Sequence, residues 1–273
     1  MSNLIVRLVY SLLFVIGGAF AAFAQGAAPP DVLKELAPTG KLRAAINLGN
    51  AVLAQKGPDG APMGITVDLS RELARRAGVP LELMPFEAAG KVFEALKGGD
   101  ADLAFIAIEP VRAAELEFSP PYVLIEGGYM VHKDSALKAI EDVDRAGIRI
   151  AVGLNSAYDL YLTRTIKNAQ VVRARVGGGS AMIEMFLADK LDVVAGVKPV
   201  LVTYAGTNPD MRVMDGRFMV IQQSMGVPKG RAAAARYVRS FVEDAKASGF
   251  VADALKRSNQ TDATVAPPER PGG

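Results

Sequence analysis

Apolar and polar positions along the chain repeat one pattern twice. Short apolar runs, which predict buried strands, alternate with segments whose apolar residues recur at helical spacing. The first unit reads strand, helix, strand, helix, strand over residues 42–47, 67–77, 81–84, 92–97 and 101–108. The second unit repeats that order over residues 148–152, 156–167, 171–173, 180–188 and 192–195. Strands that alternate with helices in this way are typical of an α/β fold with largely parallel sheets.

Two further extended segments, near 127–132 and 221–227, lie between the units and after the second unit. Helices predicted at 230–248 and 250–257 follow, and they have no strands of their own. The chain is therefore expected to return to the first sheet. The predicted fold has two α/β lobes joined by a two-stranded hinge.

The first lobe is predicted to comprise residues 25–127 and 223–257, and the second lobe residues 128–222. Residues 258–273 are rich in Pro, Thr and Gly, and we expect them to be disordered. In α/β sheets of this kind, ligands bind beyond the C-terminal ends of the strands. That position lies between the lobes, and hinge closure is an established way to enclose a ligand there.

The first 24 residues are predicted to be a signal peptide. Arg7 precedes an apolar run from Leu8 to Ala22. The run has about 15 residues, which is shorter than the roughly 20 that a membrane-spanning helix needs. Small residues at Ala22 and Ala24 predict cleavage after Ala24. The mature protein is accordingly expected in the periplasm.

Composition narrows the function classes further. The chain contains no Cys, which excludes disulfides, thiolate metal ligands, a Cys nucleophile and a lipid-modified cysteine. Its 31 Lys and Arg become 30 when Arg7 leaves with the leader, against 29 Asp and Glu. This near-neutral balance argues against nucleic acid or an anionic membrane as a partner. No Ser-His-Asp set, metal cluster or cofactor loop stands out in the sequence, so we predict no catalytic residue, no metal and no cofactor. We also expect the protein to be a monomer.

Several motifs then occur in order along the mature chain. They are Thr39 to Arg43, Gly64 to Leu69 (Gly-x-x-x-Asp-Leu), Leu96 to Asp102, Arg112 with Phe118 to Tyr122 (Phe-Ser-Pro-Pro-Tyr), and Leu187 to Asp192. From residue 36 to about 257, the chain resembles family 3 of the bacterial extracellular solute-binding proteins. The resemblance implies the two-lobed periplasmic-binding-protein fold of type II. It also implies a receptor that delivers a small ligand to the inner-membrane permease of an ABC-type importer.

The resemblance assigns the ligand's carboxylate to Arg112, which follows a predicted buried strand. A guanidinium offers a planar fork of donors that matches a carboxylate. Ser156 matches the hydroxyl residue with which the family's second lobe completes the anion site. A helix that begins there would also present the N–H groups around Asn155, Ser156 and Ala157 to an anion.

The chain departs from the family where an α-amino group is usually held. The family's acidic residue is replaced by Val197, and Glu109 stands where a hydroxyl residue is usual. Burying an ammonium without a carboxylate costs several kcal/mol. A standard α-amino acid is therefore not expected unless Glu109, Glu126 or Asp159 takes that role. Glu109 could equally pair with Arg112 and weaken anion binding.

Further ligand candidates are Asn50, which falls in the segment replacing the family's aromatic clamp, and Tyr122 and Tyr158. For Tyr122, packing in the core is the alternative. Gln222 and Gln223 in the second crossing are candidates for hinge or ligand contacts. The alternative to a receptor is an enzyme on the same scaffold, because cyclohexadienyl and arogenate dehydratases also resemble this family. Glu109 close to Arg112 keeps that alternative open.

Overall fold

The computed structural model of the protein describes residues 27–175, 179–260 and 262–269. The predicted leader lies outside the described residues. Within them, no helix is long and apolar enough to cross a bilayer.

The strands are β1 (Leu42–Asn47), β2 (Gln55–Lys56), β3 (Pro62–Met63), β4 (Leu81–Phe86), β5 (Leu103–Ala107), β6 (Leu116–Phe118), β7 (Val123–His132), β8 (Arg149–Gly153), β9 (Gln170–Ala174), β10 (Val193–Val197), β11 (Met211–Val213), β12 (Met219–Pro228) and β13 (Thr264–Val265). The helices are α1 (Pro30–Leu36), α2 (Ile65–Ala77), α3 (Ala89–Lys97), α4 (Pro110–Ala113), α5 (Ala157–Thr165), α6 (Gly179–Ala188), α7 (Lys198–Thr207), α8 (Ala232–Ala247) and α9 (Phe250–Arg257).

The main sheet has the strand order β4-β1-β5-β12-β7-β10-β8-β9. In the first lobe β1 runs parallel to β4 and β5, and in the second lobe β8 runs parallel to β9 and β10. All residues of β5 and β10 are buried. Their apolar runs without alternation are what a parallel strand covered on both faces requires.

Two long antiparallel strands, β7 and β12, carry the chain between the lobes. β12 pairs with β7 over Met219–Gln223 and with β5 from Gln223 onward. β7 changes partner from β12 to β10 at Gly127. A single curled sheet therefore runs through both lobes, with the predicted two-stranded connection at its centre. The fold is the two-lobed type II periplasmic-binding-protein fold.

Helix ends follow local chemistry that the sequence indicates. Ser156 is the N-cap of α5, and its Oγ accepts a hydrogen bond from the Asp159 N–H at 3.1 Å. Ser156 therefore caps the helix that the sequence predicts to begin at this residue. At the end of α2, Gly78 adopts φ 73°, a left-handed conformation in which a residue without Cβ is favoured.

The C-terminal tail differs from the predicted disorder over residues 262–269. β13 pairs with the start of β7, and the Ala266 N–H donates to the Tyr122 carbonyl at 3.1 Å. Ala263 and Ala266 are buried. Composition alone could not reveal this, because the open backbone groups at the start of β7 are available only once the sheet has formed.

Candidate functional site

A cavity of about 60 Å³ lies between the lobes, with residues of both lobes in its wall. Four parallel strands, β1, β5, β8 and β10, end at its wall. Their last residues all line it: Asn47, Ala107, Gly153 and Val197. The site is thus where parallel strands of an α/β fold present ligands. Other lining residues come from the loops and helix starts that follow, namely Gly49, Asn50, Ala88, Ala89, Arg112, Leu154, Ser156, Ala157, Tyr158 and Gly179, together with Ile106, Ile221 and Gln223 on strands.

Among the described residues that line this cavity, Arg112 is the one with a cationic side chain. It is 1% exposed. Its Nη1 donates to the Ala107 carbonyl at 2.9 Å, and its Nη2 donates across the cleft to the Asn155 carbonyl at 2.8 Å. These bonds use two of the five N–H groups that a guanidinium carries, so others remain to receive an anion.

Burial lowers the pKa of the Arg112 guanidinium to about 10, although the nearby charge of Glu109 opposes the shift. The group therefore remains protonated at neutral pH. A bound anion would relieve the cost of burying this cation, because opposite charges attract strongly when water is excluded.

The second lobe meets Arg112 through the loop before α5. Asn155 has φ 58°, a left-handed conformation that Asn tolerates better than most residues. Its N–H donates to Asp159 Oδ2 at 2.8 Å, while its carbonyl accepts from Arg112. A Cβ at Gly90 would lie 2.8 Å from the Asn155 Cβ, so glycine at position 90 permits the lobes to approach closely here.

Three helices begin at the cavity: α3 at Ala89, α5 at Ala157 and α6 at Gly179. The first N–H groups of a helix lack partners within it, and the helix dipole makes this end partly positive. Three helix starts and one arginine give the cavity a positive potential. Anions, above all carboxylates, fit this environment.

The structure brings most of the sequence-predicted candidates to the cavity. Asn50, Arg112, Ser156, Ala157 and Tyr158 line it, and Asn155 reaches Arg112 through its carbonyl. The Tyr158 hydroxyl donates to Met182 Sδ at 3.3 Å, and burial raises the pKa of Tyr158 to about 12. Tyr158 is thus a neutral wall of the cavity.

Tyr122 and Glu109 lie elsewhere. Tyr122 is fully buried beside Phe105, with the two rings edge to face at 6.0 Å, and it is absent from the described cavity wall. Burial raises the pKa of Tyr122 above its usual range. Glu109 is also absent from the wall; its Oε2 lies 2.6 Å from Arg164 Nη1 of the second lobe.

Sequence reasoning missed Asn47, Ala88 and Ala89. Asn47 ends β1, and the position of a polar residue at the C-terminal end of a predicted parallel strand could have identified it. Ala88 and Ala89 carry no side-chain signal, because they contribute through the start of α3. Gln223 does line the cavity, whereas Gln222 is exposed on the other face of β12.

Among the described residues, the cavity wall has no acidic side chain that could pair with the ammonium group of a ligand. Val197 lines the cavity, and no Asp or Glu does so among residues 27–175, 179–260 and 262–269. The acids that might substitute already contact cations: Glu109 with Arg164, Glu126 with Lys198 and Arg217, and Asp159 with Arg173. Hydrogen bonds from Lys198 and Arg217 lower the pKa of Glu126, which keeps that carboxylate paired with these two cations.

Among the described residues, no three His, Asp or Glu side chains form a group able to hold a metal ion.

Residues 42–259 match the family described as bacterial extracellular solute-binding proteins, family 3. Among curated proteins, the amino-acid-binding protein AabA of Dichelobacter nodosus is 30% identical over 98 residues, which are 35% of this chain and 39% of AabA. Membrane-bound lytic murein transglycosylase F of Vibrio campbellii (strain ATCC BAA-1116) is 31% identical over 118 residues, which are 43% of this chain and 22% of that enzyme. The matched parts therefore span well under half of either relative.

Solved structures share the fold over about four fifths of the chain. The ancestral amino acid-binding protein AncCDT-1, a precursor of cyclohexadienyl dehydratase, has a TM-score of 0.70 at 22% identity, covering 82% of this chain and 98% of that chain. Substrate-binding proteins of amino acid ABC transporters also match. At such identities the likeness concerns the fold.

Proposed function

Because the chain belongs to the bacterial extracellular solute-binding proteins, family 3, we propose that it is the periplasmic receptor of an ABC-type importer for a small carboxylate. One observation carries the ligand class. The interlobe cavity is lined by one buried arginine and three helix starts, and no acidic side chain lines it among the described residues. The ligand would be enclosed as the lobes close and then passed to an inner-membrane permease, with the receptor acting as a monomer.

Arg112 and the start of α5 supply the anion site in this proposal. The free N–H groups of Arg112 receive the carboxylate from the first lobe, and the Ala157 N–H at the start of α5 receives it from the second. The Ser156 N–H already donates to the Gly153 carbonyl at 3.1 Å, so Ser156 contributes through its hydroxyl. Asn155 supports the site indirectly, because its carbonyl orients the guanidinium. Asn50 and Tyr158 would contact the remainder of the ligand.

Val197 argues against a free α-ammonium on that ligand. This side chain occupies the cavity wall at the end of β10, where it offers neither charge nor hydrogen bond. Burying an ammonium against it costs several kcal/mol. A 2-oxo acid, a hydroxy acid or an N-acylated amino acid avoids that cost, because none of them carries an α-ammonium.

Paired ligands test this proposal directly. The mature protein is titrated with 2-oxoglutarate and L-glutamate, and with pyruvate and L-alanine, while thermal stability is followed. Each pair differs only at the α position. The 2-oxo acid of at least one pair should raise the melting temperature, because ligand at about 100 times Kd adds roughly 2.7 kcal/mol to stability. Equal or greater stabilisation by the amino acids would contradict the proposal.

The native ligand gives an independent check. Protein purified from its own periplasm is denatured, and the released small molecules are identified by mass spectrometry. A carboxylate without a free α-ammonium is the expected result.

Val197→Glu should shift the preference toward α-amino acids. The new carboxylate stands at the cavity wall, where it can neutralise an ammonium, so the affinity ratio of amino acid to 2-oxo acid should rise at least tenfold, which is about 1.4 kcal/mol. Val197→Gln is the matched control, since it has the same shape without the charge. Calorimetric titration of both variants with each ligand pair measures the ratio. An unchanged ratio in Val197→Glu would mean that this position does not face the α substituent.

A dehydratase-like enzyme remains the second candidate. Glu109 is a buried carboxylate three residues from Arg112, and the fold is shared with the dehydratase precursor AncCDT-1. Against catalysis, Glu109 contacts Arg164 and is not among the described lining residues. We therefore expect no aromatic product when the protein is incubated with prephenate or arogenate, and turnover at an ordinary enzymatic rate would replace the receptor proposal.

A further inference from the structure

An ion pair joins the lobes beside the anion site. Glu109 precedes α4 in the first lobe, and Arg164 lies near the end of α5 in the second lobe. Their side chains are 4% and 39% exposed, and Arg164 Nη1 is 2.6 Å from Glu109 Oε2. The same Nη1 donates a hydrogen bond to the Leu160 carbonyl at 2.8 Å. Because Oε2 accepts no aligned hydrogen bond, the contact with Arg164 is one of charge.

The pair changes the charge around Arg112. Within the first lobe alone, Glu109 and Arg112 lie three residues apart in sequence, and their formal charges sum to zero. When the lobes meet, Arg164 adds a third charge, and the group becomes net positive by one. Lobe separation necessarily breaks the contact, since Arg164 belongs to the opposite lobe.

Helix α5 contacts the first lobe near both of its ends. At its start, the Asn155 carbonyl accepts from Arg112. Near its end, Arg164 meets Glu109. Glu109 and Arg112 flank the same turn, so one short segment of the first lobe holds the whole length of the helix. The charge contact and the carbonyl contact can therefore form and break together.

We propose that Arg164 is a positioning residue that couples lobe closure to carboxylate binding. By neutralising Glu109 only when the lobes are together, it leaves the charge of Arg112 free for the anion. The carboxylate part rests on the proposed function, whereas the closing contact does not.

Distances between spin labels test the closing contact without any ligand. The chain has no Cys, so Glu94→Cys and Ala188→Cys introduce one label on an exposed helical position of each lobe. Relative to the labelled parent, Arg164→Gln should broaden the distribution toward longer distances. Arg145→Gln is the matched control, because Arg145 pairs with Asp142 inside the second lobe. Identical distributions for Arg164→Gln and the parent would overturn the proposal.

A double substitution tests whether the effect passes through Glu109. In a Glu109→Gln background, Arg164→Gln should produce no further change in the distance distribution. A further change of similar size would mean that Arg164 acts through another contact, and the proposal would fail.

Ligand affinities distinguish an effect of Arg164 on the charge around Arg112 from a contact that only holds the lobes together. With sodium pyruvate and sodium 2-oxoglutarate as probes, Arg164→Gln should weaken binding roughly tenfold or more. Glu109→Gln should weaken it less, since it also removes the negative charge beside Arg112. Equal losses would overturn the charge coupling. If neither probe binds the parent while the distances shift as stated, the ligand class of the proposed function fails and the closing contact stands.

Discussion

Arg112→Gln should weaken binding of the carboxylate that gives the largest thermal shift by at least about thirtyfold. The substitution removes the charged group at the described cavity wall and leaves an amide with two N–H groups. Losing one partner of a buried, hydrogen-bonded charge pair costs about 2–5 kcal/mol or more, which is at least a thirtyfold loss of affinity. Arg112→Lys should also bind weakly, because an ammonium keeps the charge but lacks the planar fork.

Calorimetric titration measures this effect, with Arg71→Gln as the control. Arg71 is an exposed arginine of the first lobe with its nearest acidic contact, Asp68, at 4.0 Å. The parent protein should bind with constant affinity between about pH 6 and pH 8. Affinity should then fall as the pH approaches the Arg112 pKa of about 10, since only the protonated guanidinium attracts the anion. Binding by Arg112→Gln within threefold of the parent would remove Arg112 from the anion site.

Asp102→Asn should lower the free energy of unfolding by about 3 kcal/mol or more. The Asp102 side chain is 0% exposed and contacts two arginines. Its oxygens accept from Arg43 Nε and Nη2, both at 2.8 Å, and from Arg231 Nη1 at 3.1 Å. It thereby ties β1 to the segment before β5 and to the start of α8. An amide cannot neutralise the two cations that remain.

The second lobe provides a matched comparison at Asp192, which precedes β10 as Asp102 precedes β5. Asp192 accepts from Arg149 Nε at 3.3 Å and is 36% exposed. Asp192→Asn should therefore cost only about 1 kcal/mol or less, as exposed ion pairs do. Chemical denaturation of both variants at neutral pH gives the two values. Equal costs would mean that burial of Asp102 does not set its contribution.

The positions of the buried strands were predictable because a strand covered on both faces is a continuous run of apolar residues. The apolar runs at 101–108 and 192–195 correspond to β5 at Leu103–Ala107 and β10 at Val193–Val197. The motif that ends in Asp102 was recognisable as a resemblance, but its structural role was not. Arg43 and Arg231 are 59 and 129 residues away from it, and only the folded chain brings them together.

Tyr122 shows where a local pattern was insufficient. The residue directly precedes the first crossing strand, so proximity to the cleft was a reasonable expectation. Its side chain instead packs on Phe105 in the core. Side chains near the start of a strand can face the cleft or the core, and the choice depends on which neighbouring strand is already in place.

The sequence by itself determined the α/β class, the order of the two units and the crossings, which follow from local periodicity and from the short apolar runs of buried strands. That Arg112 and Ser156 belong to one site was implied by the family resemblance. Tertiary structure alone decided that Glu109 contacts Arg164 rather than remaining beside Arg112 as its partner, and that residues 262–269 pair with β7. Both depend on surfaces contributed by distant segments, whose charges and open hydrogen-bonding groups meet only after the lobes have folded against each other.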